Sequence, residues 1–205
     1  MTGIIDYGVG NLFSLSSSLA AIGAETIVTG DINALSGCER IILPGVGAFA
    51  DAAARLRERG MDAFLKERAA AGVPILGICL GMQLLFENSM EYGQHQGLGL
   101  LTGSVIPISS AVPAGLKIPH MGWNALNLVP EKKNHPLLKN TADGEYFYFV
   151  HSYFASDCKD CAIATAEYGS ALCAAAANGN VCGTQFHPEK SGSAGLAMLR
   201  AFEEM

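Results

Sequence analysis

The run Val73-Pro74-Ile75-Leu76-Gly77-Ile78-Cys79-Leu80-Gly81 constrains this chain more than any other segment. From Val73 to Ile78 it is apolar throughout, the pattern of a strand buried on both faces, and such strands belong to parallel sheets covered by helices. From Cys79 to Glu87 the pattern is helical. A strand that turns at once into a helix bends so sharply that side chains two positions either side of the corner collide. Gly77 and Gly81 remove those side chains. Cys79 is left at the tip, in a strained backbone, with its sulfur lifted above the sheet. The partial positive charge of the helix N-terminus stabilises a negative sulfur there. The spacing predicts a nucleophile elbow built around a thiol.

The rest of the first half fits such a sheet. Thr2-Asp6, Glu25-Val28 and Arg40-Leu43 read as strands, and Asn11-Ile22 and Asp51-Ala71 as helices, the second broken near Gly60. Strand and helix in alternation imply a parallel sheet with helices on both sides. The second half is rich in strands: Ser104-Ile108, Trp123-Leu128, Tyr146-Phe154, Ala162-Tyr168, Ala171-Ala177 and Val181-Phe186. Asn178-Gly179 reads as the hairpin turn joining the last two, and Ser193-Phe202 as a closing helix. Thr102-Gly115 is the longest weakly patterned stretch, a candidate surface excursion. The expected fold class is α/β: a mixed, mainly parallel sheet flanked by helices, with an antiparallel extension. At 205 residues, one domain spanning 1–205 is expected.

Composition removes several function classes. Half the residues are hydrophobic, which excludes disorder. Net charge is -6, and no Lys/Arg cluster exceeds Lys132-Lys133, so no nucleic-acid partner is expected. No apolar run approaches the roughly 18 residues of a membrane span, and the N-terminus enters a strand without a basic leader. A cytoplasmic chain without membrane contact is the expectation. Of six cysteines, Cys38, Cys79, Cys161, Cys173 and Cys182 lie in or near apolar stretches, as reduced thiols do. Cys158-Lys159-Asp160-Cys161 is a CxxC without a second ligand pair or a thioredoxin-like context, and reads as two incidental thiols. No cluster has metal-ligand spacing, and Gly8-Val9-Gly10 lacks the rest of a dinucleotide fingerprint. Neither a metal nor a cofactor is implied.

A thiol nucleophile needs a base. Of five histidines, His187 stands in Phe186-His187-Pro188-Glu189. Pro188 favours an extended conformation before it, and in an extended segment positions i and i+2 face one way. His187 and Glu189 thus supply base and orienter within three residues. A third element is Leu43-Pro44-Gly45-Val46-Gly47, where a strand ends in a glycine-rich loop. Amides of Val46 and Gly47 there, with the Leu80 amide beside the nucleophile, are candidate donors to an oxyanion.

These residues resemble a known family, the class I glutamine amidotransferases, whose two marks are Gly77-Ile78-Cys79-Leu80-Gly81 with Gln83, and Phe186-His187-Pro188-Glu189. Further blocks are similar to one branch, the glutaminase subunits of imidazole glycerol phosphate synthase in histidine biosynthesis. They are Ile5-Asp6-Tyr7-Gly8-x-Gly10-Asn11-Leu12, Leu43 to Phe49, Pro119-His120-Met121-Gly122-Trp123-Asn124, Tyr148 to Tyr153 and Gln185 to Ser191. The resemblance runs end to end; Ala50, where glycine is expected, and several extra cysteines depart from it without touching the chemistry. It implies a glutaminase that hydrolyses L-glutamine and passes ammonia to a cyclase subunit in a heterodimer. It further implies that Gly45, Gln83, His151 and Ser152 hold the substrate. Asn11, Trp123, Asn124, Tyr148 and Lys190 are implied at the interface or along the ammonia path. Trp123, the only tryptophan, suits an interface on physical grounds too, since large aromatics anchor interfaces.

Two other classes compete. One is a different thiol hydrolase of similar fold, such as a peptidase or the glutaminase of another synthase; the Pro119-Asn124 block with His151-Ser152-Tyr153 argues against it. The other is a non-catalytic module, which should have lost Cys79, His187 or Glu189.

Overall fold

The computed structural model describes residues 1–205. Strands β1 (Thr2–Ile5), β2 (Thr26–Thr29), β3 (Arg40–Leu43) and β4 (Ile75–Ile78) alternate with helices α1 (Leu12–Ala21), α2 (Ile32–Ser36), α3 (Phe49–Glu58) and α4 (Met61–Ala70). Helix α5 (Leu80–Leu85) follows β4 directly. Strands β5 (Asn88–Ser89), β6 (His95–Gln96), β7 (Ser104–Pro107), β8 (His120–Ala125) and β9 (Asn127–Leu128) come next. Then come β10 (Tyr146–His151), β11 (Tyr153–Ser156), β12 (Ala162–Glu167), β13 (Ala171–Asn178), β14 (Val181–Thr184) and the closing helix α6 (Gly192–Glu203).

The main sheet has eight strands in the order β2-β1-β3-β4-β14-β13-β12-β9. Pairings from β2 to β14 are parallel and those from β14 to β9 antiparallel. Strand β14 is the hinge between the two regimes, and it lies beside the elbow strand β4. Alternate residues of each strand face opposite layers. Ile41, Leu43 and Ile75 join α3, α4 and α5 in one core; Ile42, Leu76 and Ile78 join α1, α6 and β10 in the other. Burial on both faces is what the continuous apolar run at β4 predicts.

Gly60 takes φ +69 between α3 and α4, the expected helix break. Other expectations need correction. The segment Tyr146-Phe154 is two strands, parted at Ser152: β10 pairs with β8 in a separate two-stranded ribbon, and β11 joins β7, β5 and β6 in a small sheet. The segment Trp123-Leu128 is parted at Leu126, which is fully buried; only β9 reaches the main sheet. The elbow helix stops at Leu85, not Glu87: Phe86 is already extended at ψ 173, and the Glu87 carboxylate accepts the Gly103 amide. The hairpin between β13 and β14 has Gly179 and Asn180 at its centre, one residue beyond Asn178-Gly179, with Gly179 at φ +58. Thr102-Gly115 is a surface excursion only in its later part, since Val105 and Ile108 are fully buried. Helix α2 was not foreseen; Asp31 caps it by accepting the Asn33 amide at 3.0 Å.

Candidate active site

The elbow is built by close backbone approach. Cys79 sits at φ 55, ψ −111, a conformation uncommon for a residue with a side chain and a sign of stored strain. A Cβ on Gly77 would lie 2.7 Å from the Gly81 carbonyl carbon, and one on Gly81 would overlap the Leu43 carbonyl oxygen. One on Gly45 would lie 2.6 Å from the Gly81 amide nitrogen. Three glycines therefore let β3, β4 and α5 meet at one point. The Cys79 amide donates to Thr184 O at 2.7 Å, so β14 braces the corner from the other side. All six cysteines are free and buried.

His187 and Glu189 follow β14 and come to the same place. The His187 Nδ1–H donates to Glu189 Oε1 at 2.8 Å, and both side chains are almost wholly buried. Burial pushes His187 down. Hydrogen bonds to Cys79 and Glu189, and the charges of both, outweigh it and bring the histidine up to about 9. Its loop hangs on β10: the His187 amide donates to Tyr148 O at 3.0 Å, and the Ser191 hydroxyl donates to His187 O at 2.6 Å while accepting the Tyr148 amide at 3.0 Å.

A cleft of about 400 Å³ opens over the sulfur. It gathers most of the expected residues: Val46, Gly47, Cys79, Leu80, Gln83, His151, Ser152, His187 and Lys190 all line it. The Val46 and Gly47 amides bond to nothing within the chain, and Leu80 opens α5, where the first amides have no helical partner. The Tyr7 hydroxyl anchors that loop by donating to Pro44 O at 2.8 Å. Donors on two sides of a thiol, a histidine raised toward its cationic form and a cleft large enough for a small substrate above them suit acyl transfer.

The chain matches the family described as Glutamine amidotransferase class-I over residues 3–204. It belongs to the class I glutamine amidotransferases. Among its relatives, the imidazole glycerol phosphate synthase subunit HisH of Sulfurimonas denitrificans is 48% identical over 98% of this chain and 97% of its own. The subunit of the same name from Carboxydothermus hydrogenoformans is 47% identical over the whole of both chains. Among solved structures, PurLQS from Thermotoga maritima superposes with a TM-score of 0.77 over 99% of this chain and 97% of that one. At 24% identity that likeness speaks for the fold alone.

Within this amidotransferase the remaining expected residues are dispersed. Gly45, packed against the elbow, is not among the residues lining the cleft; with Asn11 it lines a small pocket beside Glu189. Asn11 caps α1 by accepting the Ser14 amide. Trp123 and Tyr148 stand edge to face on the outer side of the β8–β10 ribbon, ring centroids 6.2 Å apart, with Trp123 56% exposed. Asn124 points to the inner side, its amide held by Glu167 O and His120.

Two residues of the cleft region escaped the sequence reading. Glu91 is the one acid lining the cleft, and it is tied to the amide of Phe49 at the start of α3. Gln185 is fully buried; its Nε2 donates toward Cys79 Sγ at 3.8 Å and its oxygen accepts from Gln83 Nε2 at 3.0 Å. Its signal was its place two residues before His187 on the same extended segment.

Proposed function

We propose that this chain is the glutaminase subunit of imidazole glycerol phosphate synthase in histidine biosynthesis. It hydrolyses L-glutamine and delivers ammonia to the cyclase subunit. The observation that carries this reading is the near-half identity, over the full length, to subunits of that synthase. Residues 1–205 act as one glutaminase domain, working in the cytoplasm; no helix is long and apolar enough to cross a membrane.

In this reading Cys79 Sγ attacks the side-chain amide carbon of glutamine, and the oxyanion is met by amides of Leu80 and of the Val46-Gly47 loop. The C–N bond breaks as His187, held cationic and oriented by Glu189, gives its proton to the leaving nitrogen. Neutral His187 then takes a proton from water as water attacks the thioester, and glutamate and the free thiolate result. Glu91 faces the substrate's α-ammonium group with opposite charge, and Ser152 offers its hydroxyl and amide to the α-carboxylate. Gln83 has both amide hydrogens bound inside the protein, to Tyr153 O and Gln185, so only its oxygen is left for substrate. The outer face of the β8–β10 ribbon, with Met121, Trp123 and Tyr146 all more than half exposed, docks the cyclase subunit. Lys190, on the cleft rim, stands where ammonia leaves.

Ammonia release from glutamine, measured for the chain alone, with the cyclase subunit, and with that subunit plus its ligand, tests the reading. Release by the complex that vanishes in Cys79→Ala is expected. A partner that turns an oxyanion donor toward the site should raise the rate by roughly 10²–10³. The peptide planes between Pro44 and Gly47 can rotate to do so, with Gly47 at φ +95 and open space around it.

A further inference from the structure

The inner face of the β8–β10 ribbon carries a second line of polar groups, and it runs into the cleft. Asn124 Nδ2 donates to His120 Nε2 at 3.2 Å, His120 Nδ1 lies 2.9 Å from His151 Nε2, and His151 Nδ1 lies 2.9 Å from Tyr153 O. A carbonyl only accepts, so His151 Nδ1 carries the proton and its Nε2 is bare. His120 Nδ1 must then donate to it, and His120 Nε2 is left to accept from Asn124. One proton arrangement satisfies every link, and both rings are neutral in it. Burial, which holds His120 down to about 4 and His151 down to about 3, agrees. Tyr153 O also accepts Gln83 Nε2 at 3.0 Å, and Gln83 leads through Gln185 to Cys79.

The bend that parts β10 from β11 falls at Ser152, between the two residues this line ties together. The His151 ring closes the bend onto Tyr153 O, and His120 fixes the far end of that ring. We propose that His120 is a positioning residue: it holds the bend so that the Ser152 amide and hydroxyl, bonded to nothing else in the chain, stay turned to the glutamine cleft. His120 lies beyond the cleft-lining residues and acts through His151 alone. The inference rests on the glutaminase reading above.

Two variants of the complex with the cyclase subunit separate positioning from packing. The His120 ring is stacked between Phe149 and Tyr168, with centroids 4.9 and 4.2 Å away. His120→Phe keeps the stack and loses the hydrogen bond to His151. His120→Asn loses the stack and keeps a donor where Nδ1 stood. The positioning role expects His120→Phe to raise KM for glutamine by about tenfold, the size of one buried hydrogen bond, with kcat nearly unchanged. It expects His120→Asn to stay within about twofold of wild type. A merely structural role reverses that order, and an unchanged KM in His120→Phe overturns the proposal as well. If the phenylalanine variant does not fold, His120→Gln replaces it: its amide reaches toward Asn124 and leaves His151 unheld, and the same rise in KM is expected. Nitrogen-15 resonances of His151 judge the link without turnover. A bare Nε2 in wild type that changes its shift in His120→Phe supports it, and a protonated Nε2 in wild type overturns it. If wild type releases no ammonia from glutamine, the functional reading fails and these resonances alone decide the inference.

Discussion

The elbow at Cys79 and the bend at Ser152 face each other across one cleft, and different forces hold them. At the elbow the backbone itself is in contact: Gly45, Gly77 and Gly81 bring β3, β4 and α5 within van der Waals distance of one another. At the bend the Ser152 carbonyl accepts the Ile108 amide, and side-chain hydrogen bonds of His120, His151 and Gln83 add to that backbone contact. The two also differ in neighbours. The elbow is clamped between two parallel strands in the middle of the eight-stranded sheet. The bend joins a two-stranded ribbon to a separate small sheet, outside that frame. A nucleophile needs one position, which sterics supply. A substrate that enters and leaves is better met by groups whose geometry rests on hydrogen bonds of about 1 kcal/mol each.

The sharpest way to break this comparison is to remove the nucleophile without disturbing its seat. Cys79→Ala should lose glutaminase activity by on the order of 10⁴-fold or more, as the loss of a catalytic nucleophile does. Glutamine should still bind, because the wall at Ser152 is intact. A glutamine-analogue electrophile should label Cys79 alone, since the other five cysteines are buried away from the cleft. Labelling at Cys38, Cys158 or Cys182, with turnover kept in Cys79→Ala, would refute the assignment.

The next effect in size belongs to the pair that reaches the elbow from β14. His187→Ala should lose about 10²–10⁴ in rate. Glu189→Gln should lose less, about tenfold to 10²-fold, because it weakens a charged hydrogen bond and leaves the proton donor in place. With His187 brought up to about 9, kcat/KM should fall as pH rises through that value. Stability follows the same group. A histidine whose folded value lies above its ordinary 6.5 stabilises the fold fully below pH 6.5 and loses that contribution as pH rises toward 9. Denaturant titrations at pH 6.5 and pH 9 should therefore show a drop in wild type that His187→Gln flattens. Equal drops in both proteins would mean that another group is responsible.

What the amino-acid sequence discloses follows the same division. The elbow was legible because steric exclusion leaves its mark in residue type: glycine at 77 and 81 has one economical explanation beside a cysteine. His187 and Glu189 were legible because Pro188 fixes the local backbone and the pair is two residues apart. The parallel half of the sheet could be read from apolar runs that local pattern sets. The ribbon could not. Tyr146-Phe154 is apolar and aromatic except at His151-Ser152, and two polar residues inside such a run read equally as positions within one longer strand, not as the point where the chain leaves one sheet for another. The hydrogen bonds that span the break run from His120, more than thirty residues earlier, to the Tyr153 carbonyl, which no side-chain pattern encodes. The resemblance grouped Asn124 with Trp123, and strand alternation sends the two to opposite faces of the ribbon. Gln185 was hidden by being an ordinary polar residue whose importance lies in what it touches.

A smaller effect tests the steric half directly. Gly81→Ala places a methyl group against the Leu43 carbonyl, which is backbone and pinned in β3. Overpacking of that kind costs about 1–3 kcal/mol. The elbow must open, so activity should fall together with stability, and thermal melting and turnover should move in parallel. Full activity at reduced stability would show that the close approach serves the fold alone.

The smallest effect is expected at the bend, where Ser152→Ala removes one hydroxyl and leaves the amide beside it. That hydroxyl accepts and donates nothing within the protein, so its removal leaves no buried partner stranded. Stability should hold within about 0.5 kcal/mol, as for substitutions away from packed or paired groups. Substrate loses a single contact made to its amino-acid end, remote from the bond that breaks. Such a contact is equally strong in the ground and transition states, so KM should rise by roughly threefold to tenfold with kcat little changed. Steady-state glutamine hydrolysis by the complex measures both constants. A fall in kcat at constant KM would move Ser152 from holding the substrate to acting on the transition state, and the bend would then share the elbow's demand for one fixed position. An unchanged KM would take the Ser152 hydroxyl out of the site and leave the amide as the bend's contribution to binding.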